Sequence, residues 1–207
     1  MDFLSRLLIL IVSYLLGSVS SSIIVGKIKS GKDIRTMGSG NAGATNTLRT
    51  FGKAAALLVV LGDGLKTVLS VLFAKLLLPD DMLAVYIAGI GCVLGHNFPV
   101  YYGFKGGKGV LVSIVSVLFA NWQIGLITFV ISILIMIFTK YVSLGSVIGS
   151  AIVVVLAFIF EKGNTEYLIF SVILAVLCIY RHRANIVRLI NGTENKLGSK
   201  KEEKANG

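Results

Sequence analysis

The stretch at residues 142–160 reads VSLGSVIGSAIVVVLAFIF and contains no charged side chain. About 20 predominantly apolar residues are enough for a helix to cross the hydrocarbon core of a bilayer. Similar runs recur along the chain, and the fourth and seventh are short enough that they must begin or end inside protein or a polar cavity. The pattern predicts an all-α integral membrane protein, a seven-transmembrane-helix bundle. The predicted spans are residues 3–25, 54–78, 82–101, 109–121, 123–139, 142–160 and 166–180.

The composition of the whole chain excludes a soluble protein. Of 207 residues, 55% are hydrophobic and 14% are charged, and the mean hydropathy is +0.86. A soluble domain has about 25% charged residues, so this chain has too little polar surface for a cytosolic enzyme. Cys92 and Cys178 both lie inside apolar runs without ligand spacing. The sequence therefore predicts neither a disulfide framework nor a metal site.

Basic residues are concentrated in alternate connections between the spans. The chain has 20 Lys and Arg against 10 Asp and Glu, and most of the basic residues follow the first, third, fifth and seventh spans. Positive charge marks the cytoplasmic side, so we predict an N-terminus outside and a C-terminus in the cytoplasm. A cleaved signal peptide is the competing interpretation, because small residues occur at 17–21. A signal peptide, however, carries its positive charge before the apolar run, and here the basic cluster follows it.

The chain divides into one membrane domain and a short end segment. Residues 1–190 form the predicted seven-helix membrane domain. Residues 191–207 are polar and form a predicted cytoplasmic tail that we expect to be disordered. We therefore expect truncation near residue 191 to leave activity intact.

Two features inside the spans have a plain structural interpretation. Glycines recur four residues apart, at 91 and 95 and again at 145 and 149, and such spacing predicts close packing of helices. Asp63 and Lys66 are three residues apart within the second span. An ionisable residue inside a membrane is a functional candidate, but a structural ion pair explains this one equally well.

The first long connection, residues 26–53, greatly exceeds the about four to six residues that usually join two elements. Within it, residues 38–49 read GSGNAGATNTLR, with three glycines, several side-chain donors and no acidic group. Backbone N–H groups in such a loop bind anions, above all phosphate. Arg49 ends the segment with a planar guanidinium suited to phosphate. A flexible glycine linker is the alternative.

The second polar segment, residues 95–109, reads GHNFPVYYGFKGGKG. Glycines flank Lys108 on both sides, so its ammonium group can approach an anion closely. The segment is not a nucleotide-binding P-loop, because Tyr102 stands where that motif needs a glycine and Gly109 where it needs Ser or Thr. His96 and Asn97 either orient a substrate or satisfy buried backbone groups.

The third polar segment, RHRANI at 181–186, directly follows the last span. Arg181 and Arg183 fit the role of cytoplasmic anchors that contact lipid phosphates. His182 and Asn185 share one helical face and are harder to explain as anchors. The residues alone thus predict binding of a phosphorylated amphiphile, or of two phosphates, at the inner leaflet, and they do not predict a reaction.

These three segments, in this order, resemble those of the bacterial acyl-phosphate:glycerol-3-phosphate acyltransferases, and the resemblance covers nearly the whole chain. It implies that an acyl group moves from acyl phosphate to the 1-hydroxyl of glycerol 3-phosphate, which yields lysophosphatidate and inorganic phosphate, the first step of phospholipid synthesis. It also implies a multi-pass protein of the bacterial inner (plasma) membrane, in contact with membrane lipids. No cofactor, metal, nucleic acid or obligate protein partner is expected.

The resemblance also implies roles for individual residues. The residues expected to hold glycerol 3-phosphate and support catalysis are Ser39, Arg49, Lys108, His182 and Asn185. The other residues expected to bind substrate are Gly38, Gly40, Asn41, Gly43, Thr45, Asn46, His96, Asn97, Lys105, Gly106 and Gly107. The hydroxyl proton passes either to His182 or to a substrate phosphate, and we favour the phosphate. The His-x4-Asp pair of thioester-dependent acyltransferases is absent, because Tyr101 and Val187 stand at the Asp positions.

Two other function classes remain open at this point. A phosphate or sugar-phosphate transporter also needs polar loops among helices, but it places charge near the bilayer midplane and often shows an internal repeat. A non-catalytic scaffold for acidic lipids explains the basic C-terminal end but not the ordered glycine loops.

Overall fold

A computed structural model describes residues 2–198, and these residues form an all-helical bundle, which confirms the predicted all-α class. Two short 3₁₀ helices, Ile34–Thr36 and Val100–Tyr102, lie in the first and second polar segments. The α-helices of the described residues are α1 Asp2–Ser18, α2 Ser21–Ser30, α3 Ala44–Leu77, α4 Met82–Asn97, α5 Val110–Ala120, α6 Trp122–Thr139, α7 Val142–Phe160, α8 Thr165–Arg181 and α9 Arg183–Ile190.

Five stretches within residues 2–198 are long and apolar enough to cross a membrane. A sixth is present if α8 and α9, which meet at a bend of 61°, count as one broken span. Helix α5 has 11 residues and is therefore about 16 Å long, half the thickness of a bilayer core. Seven crossings and the orientation of the termini stay predictions. The five long stretches are Asp2–Ser30, Ala44–Leu77, Met82–Tyr102, Trp122–Thr139 and Val142–Phe160.

The outer surface of the bundle is apolar. Leu76, Phe138 and Phe158 are each more than 70% exposed, which water would oppose and lipid tails favour. The largest buried cluster has three aromatic rings at its centre, with Tyr86 stacked on Phe170 at 5.1 Å between centroids and edge-on to Tyr167 at 5.6 Å. The bundle thus has an apolar exterior, which suits a lipid environment, around a core that contains packed aromatic rings.

The paired glycines pack helices closely, as the sequence predicts. A Cβ atom on Gly91 would lie 2.8 Å from a backbone oxygen of α1, and one on Gly95 would collide with the same backbone. In the second pair, a Cβ on Gly145 would lie 2.6 Å from the backbone oxygen of Ser132 in α6, and one on Gly149 would collide with the Ser132 side chain. Only glycine allows these backbones to approach so closely.

A buried ion pair joins α3 to the break between α1 and α2. The Lys66 Nζ atom lies 3.0 Å from a carboxylate oxygen of Asp63 and donates to the backbone oxygens of Gly17, at 3.0 Å, and Val19, at 2.9 Å. It also lies 2.9 Å from His96 Nδ1 on α4. A helix break inside a membrane protein leaves carbonyl groups without partners. The ammonium group of Lys66 is the hydrogen-bond donor to two of these carbonyls. These contacts favour the structural interpretation of Asp63 and Lys66.

Helix ends converge at one end of the bundle. Helices α4 and α8 end there, α3 and α5 begin there, and the bend between α8 and α9 lies beside them. Residues 191–198 form no helix, yet they contact this end, since the backbone N–H of Leu197 donates to the Lys140 oxygen at 2.7 Å. The sequence did not predict contacts for these tail residues. The rest of the predicted tail, residues 199–207, lies outside the described residues.

Candidate active site

A cavity of about 790 Å³ opens where these helix ends converge. Its walls come from the first polar loop, the segment before α5, the bend between α8 and α9, and the apolar faces of α3, α5, α6 and α7. One part of the cavity is therefore strongly polar and the other apolar. The predicted site residues that line it are Ser39, Gly40, Asn41, Gly43, Thr45, Asn46, Arg49, His96, Lys105, Gly106, Lys108, His182 and Asn185.

Three predicted site residues lie behind the cavity wall instead of lining it. Gly38 has a φ of 57°, and a Cβ there would collide with the Asn46 side chain. Gly107 is buried against His96. The amide of Asn97 is buried, and among the described residues it has no hydrogen-bond partner. These three residues support the wall from behind. A larger or more mobile side chain at any of these positions would disturb the packing of the wall.

Asn46 holds the first loop in its conformation. Its side-chain oxygen accepts from the Ser39 backbone N–H at 2.8 Å. Its side-chain nitrogen lies within 3.1 Å of the backbone oxygens of Ile34, Met37 and Asn41. With both ends of its amide engaged by backbone, Asn46 is an organiser of the loop. The other polar residues of this loop that line the cavity are Arg35, Ser39, Asn41, Thr45 and Arg49.

The two buried glycines before Lys108 are bonded to the end of α4. The Gly107 N–H donates to the His96 oxygen at 3.0 Å, and the Gly106 N–H donates to the Asn97 oxygen at 3.2 Å. A Cβ on Gly107 would lie 2.5 Å from the Ala42 oxygen of the first loop. The first and second polar segments therefore meet at Gly107 with no room for a side chain.

Lys108 is directed at the third polar segment. Its Nζ donates to the Asn185 side-chain oxygen at 2.5 Å. Burial lowers the pKa of Lys108 from the usual lysine value to about 8, because the charged form loses hydration. Arg49 belongs to the first polar segment, and its guanidinium donates to the Asn195 backbone oxygen at 3.3 Å. The polar part of the cavity thus has cations on two walls, as an anion site requires.

The hydrogen bonds of the two histidines define their neutral tautomers. The Nδ1 atom of His182 lies 2.8 Å from the Cys178 backbone oxygen, and a carbonyl can only accept, so Nδ1 carries the proton. The Nε2 atom of His182 is then an acceptor. The Nδ1 atom of His96 faces the Lys66 ammonium, which can only donate, so Nε2 of His96 carries the proton. The two rings therefore offer opposite hydrogen-bonding character on Nε2.

Two arginines that the sequence analysis did not assign to the site hold its segments together. Arg35 Nη1 donates to the backbone oxygens of Tyr102 and Lys105, both at 2.8 Å, and so joins the first segment to the second. Arg181 donates to the Gly107 oxygen at 3.0 Å and to the Gly106 oxygen at 2.9 Å. The sequence favoured a lipid anchor for Arg181. No sequence signal distinguishes an arginine that bonds backbone carbonyls from one that contacts lipid phosphate.

Glu194 is an acidic member of the cavity wall that the sequence analysis placed in the tail. Its carboxylate accepts from Asn185 at 2.6 Å, from Ser143 at 2.9 Å and from Arg188 at 2.7 Å. These hydrogen bonds hold the pKa of Glu194 below the usual range against the opposing effect of burial. Asn185 is consequently oriented from both sides, with its oxygen toward Lys108 and its nitrogen toward Glu194.

Comparison with known proteins decides the family. A family profile described as glycerol-3-phosphate acyltransferase matches residues 7–192. The chain belongs to the glycerol-3-phosphate acyltransferase family. No group of three or more His, Cys, Asp or Glu among residues 2–198 is placed to hold a metal ion.

Members of the glycerol-3-phosphate acyltransferase family resemble the chain along nearly its whole length. The enzyme of Clostridioides difficile is 48% identical over 206 residues, which cover 98% of this chain and 100% of the relative. That of Thermoanaerobacter pseudethanolicus is 47% identical over 194 residues, or 94% of this chain and 96% of the relative.

Two solved structures share the fold. Both are crystal structures of PlsY (YgiH), described as an integral membrane glycerol 3-phosphate acyltransferase. The glycerol 3-phosphate form superposes with a TM-score of 0.87 at 36% identity, and the lysophosphatidic acid form with 0.83 at 35%. Each match covers 94% of this chain and 96% of the other. As a member of this family the chain is a membrane-embedded glycerol-3-phosphate acyltransferase.

Proposed function

We propose that the chain transfers an acyl group from acyl phosphate to the 1-hydroxyl of glycerol 3-phosphate, with lysophosphatidate and inorganic phosphate as products. The hydroxyl oxygen forms a bond to the acyl carbon, the bond from that carbon to the phosphate oxygen breaks, and the hydroxyl proton leaves with the phosphate. Acyl phosphate is already an activated electrophile, so the protein has to align two anions and stabilise developing charge.

The observation that carries this proposal is the two-sided character of the cavity. Its polar part contains Lys108, Arg49 and Arg188, and its apolar part is formed by residues such as Ile114 of α5 and Ile133 of α6. A substrate with a phosphate at one end and a fatty chain at the other matches both parts. The structures of PlsY with glycerol 3-phosphate and with lysophosphatidic acid support the same two ligands for this chain.

We assign glycerol 3-phosphate to the wall that bears Lys108, His182 and Asn185, together with Arg49 and Ser39. Lys108 and Arg49 offset the repulsion between two phosphorylated substrates. Backbone N–H groups of the first loop, around Gly40 and Gly43, are suited to the phosphoryl group of the donor. Asn46 acts indirectly in this assignment, because its amide is bonded to the loop itself.

The acceptor of the hydroxyl proton is assigned to a substrate phosphate. Within the described cavity wall the neutral base is His182, whose Nε2 is free of the proton. Its Nδ1 proton is bonded to the Cys178 oxygen, and the charged form is opposed by Lys108 nearby. A phosphate dianion has a second pKa of about 6 and arrives with the substrate. His182 then accepts a hydrogen bond from the hydroxyl and orients it.

We place the cavity on the cytoplasmic side of the bacterial inner membrane. The polar segments that form it follow the first, third and seventh predicted spans, and most of the basic residues of the chain lie after these spans; positive charge marks the cytoplasmic side. The N-terminus is then outside and the C-terminus inside. Helix α5 is too short to cross the membrane alone, so the polar segment before it completes the crossing. That segment faces the cavity and not the lipid.

The test uses the purified chain in detergent with radiolabelled glycerol 3-phosphate, palmitoyl phosphate in one tube and palmitoyl-CoA in the other. We expect lysophosphatidate with the acyl phosphate alone, and its loss in Lys108→Ala. Lys29→Ala, an exposed lysine of α2 away from the cavity, is the matched control and should keep the activity.

Two results would contradict the proposal. Product with the thioester alone would show that the donor is wrong while the acceptor is right. No product in either tube, with fresh acyl phosphate and added lipid extract, would show that neither compound is the donor. Cysteine labelling from either side of sealed vesicles, with single cysteines at positions 32 and 162, tests the orientation separately.

A further inference from the structure

Arg181 makes two hydrogen bonds to backbone carbonyls, and the roles proposed above for the site residues do not include these bonds. Its guanidinium donates from Nε to the Gly107 oxygen at 3.0 Å and from Nη2 to the Gly106 oxygen at 2.9 Å. It also lies over the Phe98 ring, 5.2 Å from the centroid. These contacts take one edge of the guanidinium fork for protein backbone. That edge is therefore engaged before any substrate arrives.

The Gly106–Gly107 backbone is held from two sides. Its two N–H groups donate to the oxygens of His96 and Asn97 at the end of α4, and its two carbonyl groups accept from Arg181. Glycine has more backbone freedom than any other residue, so this dipeptide has no conformational preference that could fix the direction of Lys108. The hydrogen bonds to α4 and to Arg181 supply the constraint that the glycines lack.

The same bend of the chain also holds the Lys108 side chain. Arg181 is the last residue of α8, and Asn185 lies four residues later in α9. Arg181 bonds the backbone just before Lys108, while the Asn185 oxygen accepts from Lys108 Nζ. The bend between α8 and α9 thereby fixes both the backbone position of Lys108 and the position of its ammonium group.

We propose that Arg181 is a positioning residue for catalysis: its bidentate grip on the Gly106 and Gly107 carbonyls directs Lys108 at the phosphate of glycerol 3-phosphate. This inference rests on the proposed function, because it takes Lys108 as the cation that binds the acceptor. A lysine at position 181 keeps the positive charge but lacks the planar fork that bonds two carbonyls at once. The change Arg181→Lys therefore separates geometry from charge.

The experiment compares Arg181→Lys and Arg181→Ala with the unchanged chain, all purified in the same detergent. Arg6→Lys is the matched control, since Arg6 pairs with Asp81 at 2.8 Å away from the cavity. We measure the unfolding temperature, kcat and KM for each substrate with palmitoyl phosphate as donor, and the binding of radiolabelled glycerol 3-phosphate by equilibrium dialysis. The dialysis does not depend on the identity of the donor.

We expect Arg181→Lys to unfold at a slightly lower temperature than the unchanged chain but to stay folded in the assay, because the lysine can still donate to one of the two carbonyls, while its KM and Kd for glycerol 3-phosphate rise by more than about tenfold. The KM for the acyl donor should change little, and Arg6→Lys should change neither. Arg181→Ala should show a larger loss in the same direction, because it also removes the contact with the Phe98 ring.

A second readout follows the protonation of Lys108. Activity in the unchanged chain should fall as the pH rises through about 8, where buried Lys108 loses its proton. In Arg181→Lys the released lysine gains hydration, so this fall should move to higher pH. A purely structural role would not shift the pH profile. The charged, titratable or polar groups that face Lys108 are Arg49, Cys178, His182, Asn185, Arg188 and Glu194.

Each outcome decides one question. Unchanged KM, Kd and pH profile in Arg181→Lys would overturn the positioning role. An Arg181→Lys variant that is largely unfolded at the assay temperature, or one whose KM values for both substrates rise equally, would also overturn it, since either result would assign Arg181 to the fold. If the unchanged chain binds glycerol 3-phosphate but shows no turnover with acyl phosphate, the proposed donor fails, and the dialysis still tests Arg181.

Discussion

Replacing Lys66 with methionine should destabilise the protein far more than neutralising its partner Asp63. Lys66 is 5% exposed and bonds two backbone oxygens, His96 and the Asp63 carboxylate. Asp63 is 3% exposed and bonds Lys66 and the Ser21 hydroxyl. Methionine fills similar volume without a donor, so Lys66→Met removes four partners at once while Asp63→Asn removes only a charge.

The magnitude follows from those contacts. Each buried carbonyl left without a donor costs about 1–3 kcal/mol, and Lys66→Met leaves those of Gly17 and Val19 at the break between α1 and α2. Two such carbonyls together cost about 2–6 kcal/mol, and the cost of about 3–5 kcal/mol for removing one partner of a buried ion pair lies within that range. Asp63→Asn also leaves a buried charge without its counter-ion, but Lys66 keeps its other three partners and Ser21 keeps an acceptor, so this change should cost less, about 1–2 kcal/mol. The double variant has no unpaired carboxylate, so it should be more stable than the sum of the single changes predicts.

The assay is reversible unfolding in mixed micelles, with increasing dodecyl sulfate and helicity as the signal. The control is Lys75→Met, an exposed lysine later in the same helix, which should leave the free energy of unfolding unchanged. A Lys66→Met variant within about 1 kcal/mol of the unchanged chain would refute the reasoning. Water or lipid headgroups would then be satisfying the carbonyls at the helix break.

Three further predictions concern the cavity. Gly107→Ala should lower kcat/KM by about a hundredfold, because a Cβ has no room beside the Ala42 oxygen. The control Gly64→Ala, where a Cβ meets nothing within 4 Å, should keep its activity, and equal kcat/KM in the two variants would contradict the packing argument. The fall in kcat/KM near pH 8 should disappear in Lys108→Arg, because the ammonium form of Lys108 is lost above its lowered pKa whereas a guanidinium keeps its proton. If the fall persists in this variant, another group is responsible for it. Glu194→Gln should lower the free energy of unfolding by about 1–3 kcal/mol, because an amide cannot accept from all three donors that bond the carboxylate. An unchanged free energy in chemical unfolding would show that these hydrogen bonds do not hold the segment around Glu194 to the bundle.

The sequence predicted the helical class and the glycine packing because both depend on local pattern. Long apolar runs can satisfy their backbone in a membrane only as helices, and glycines one turn apart lie on one helical face. The residues that form the cavity wall were also largely predicted, because polar glycine-rich loops stand out against apolar spans. Their individual roles as ligands stay predictions that the experiments above test.

Several site features depended on contacts between distant segments. Asn46 was expected to touch substrate, but its amide bonds the backbone of its own loop. Asn97 was expected in the same role and lies buried behind the wall. Glu194 was placed in a tail but bonds Asn185 and Arg188. In each case the residue type suits both roles, and only its neighbours in space distinguish them.

The sequence by itself thus determined that the chain is a helical membrane protein with three polar, phosphate-suited segments, because hydrophobic length and glycine content are properties of short stretches. The tertiary structure decided how those segments form one site. Arg35, Arg181 and Lys66 each bond backbone oxygens of segments distant in the chain, and a backbone oxygen has no signature in the sequence. The physical reason is that every residue carries the same carbonyl group, so which one an arginine or lysine bonds is fixed only when the helices pack.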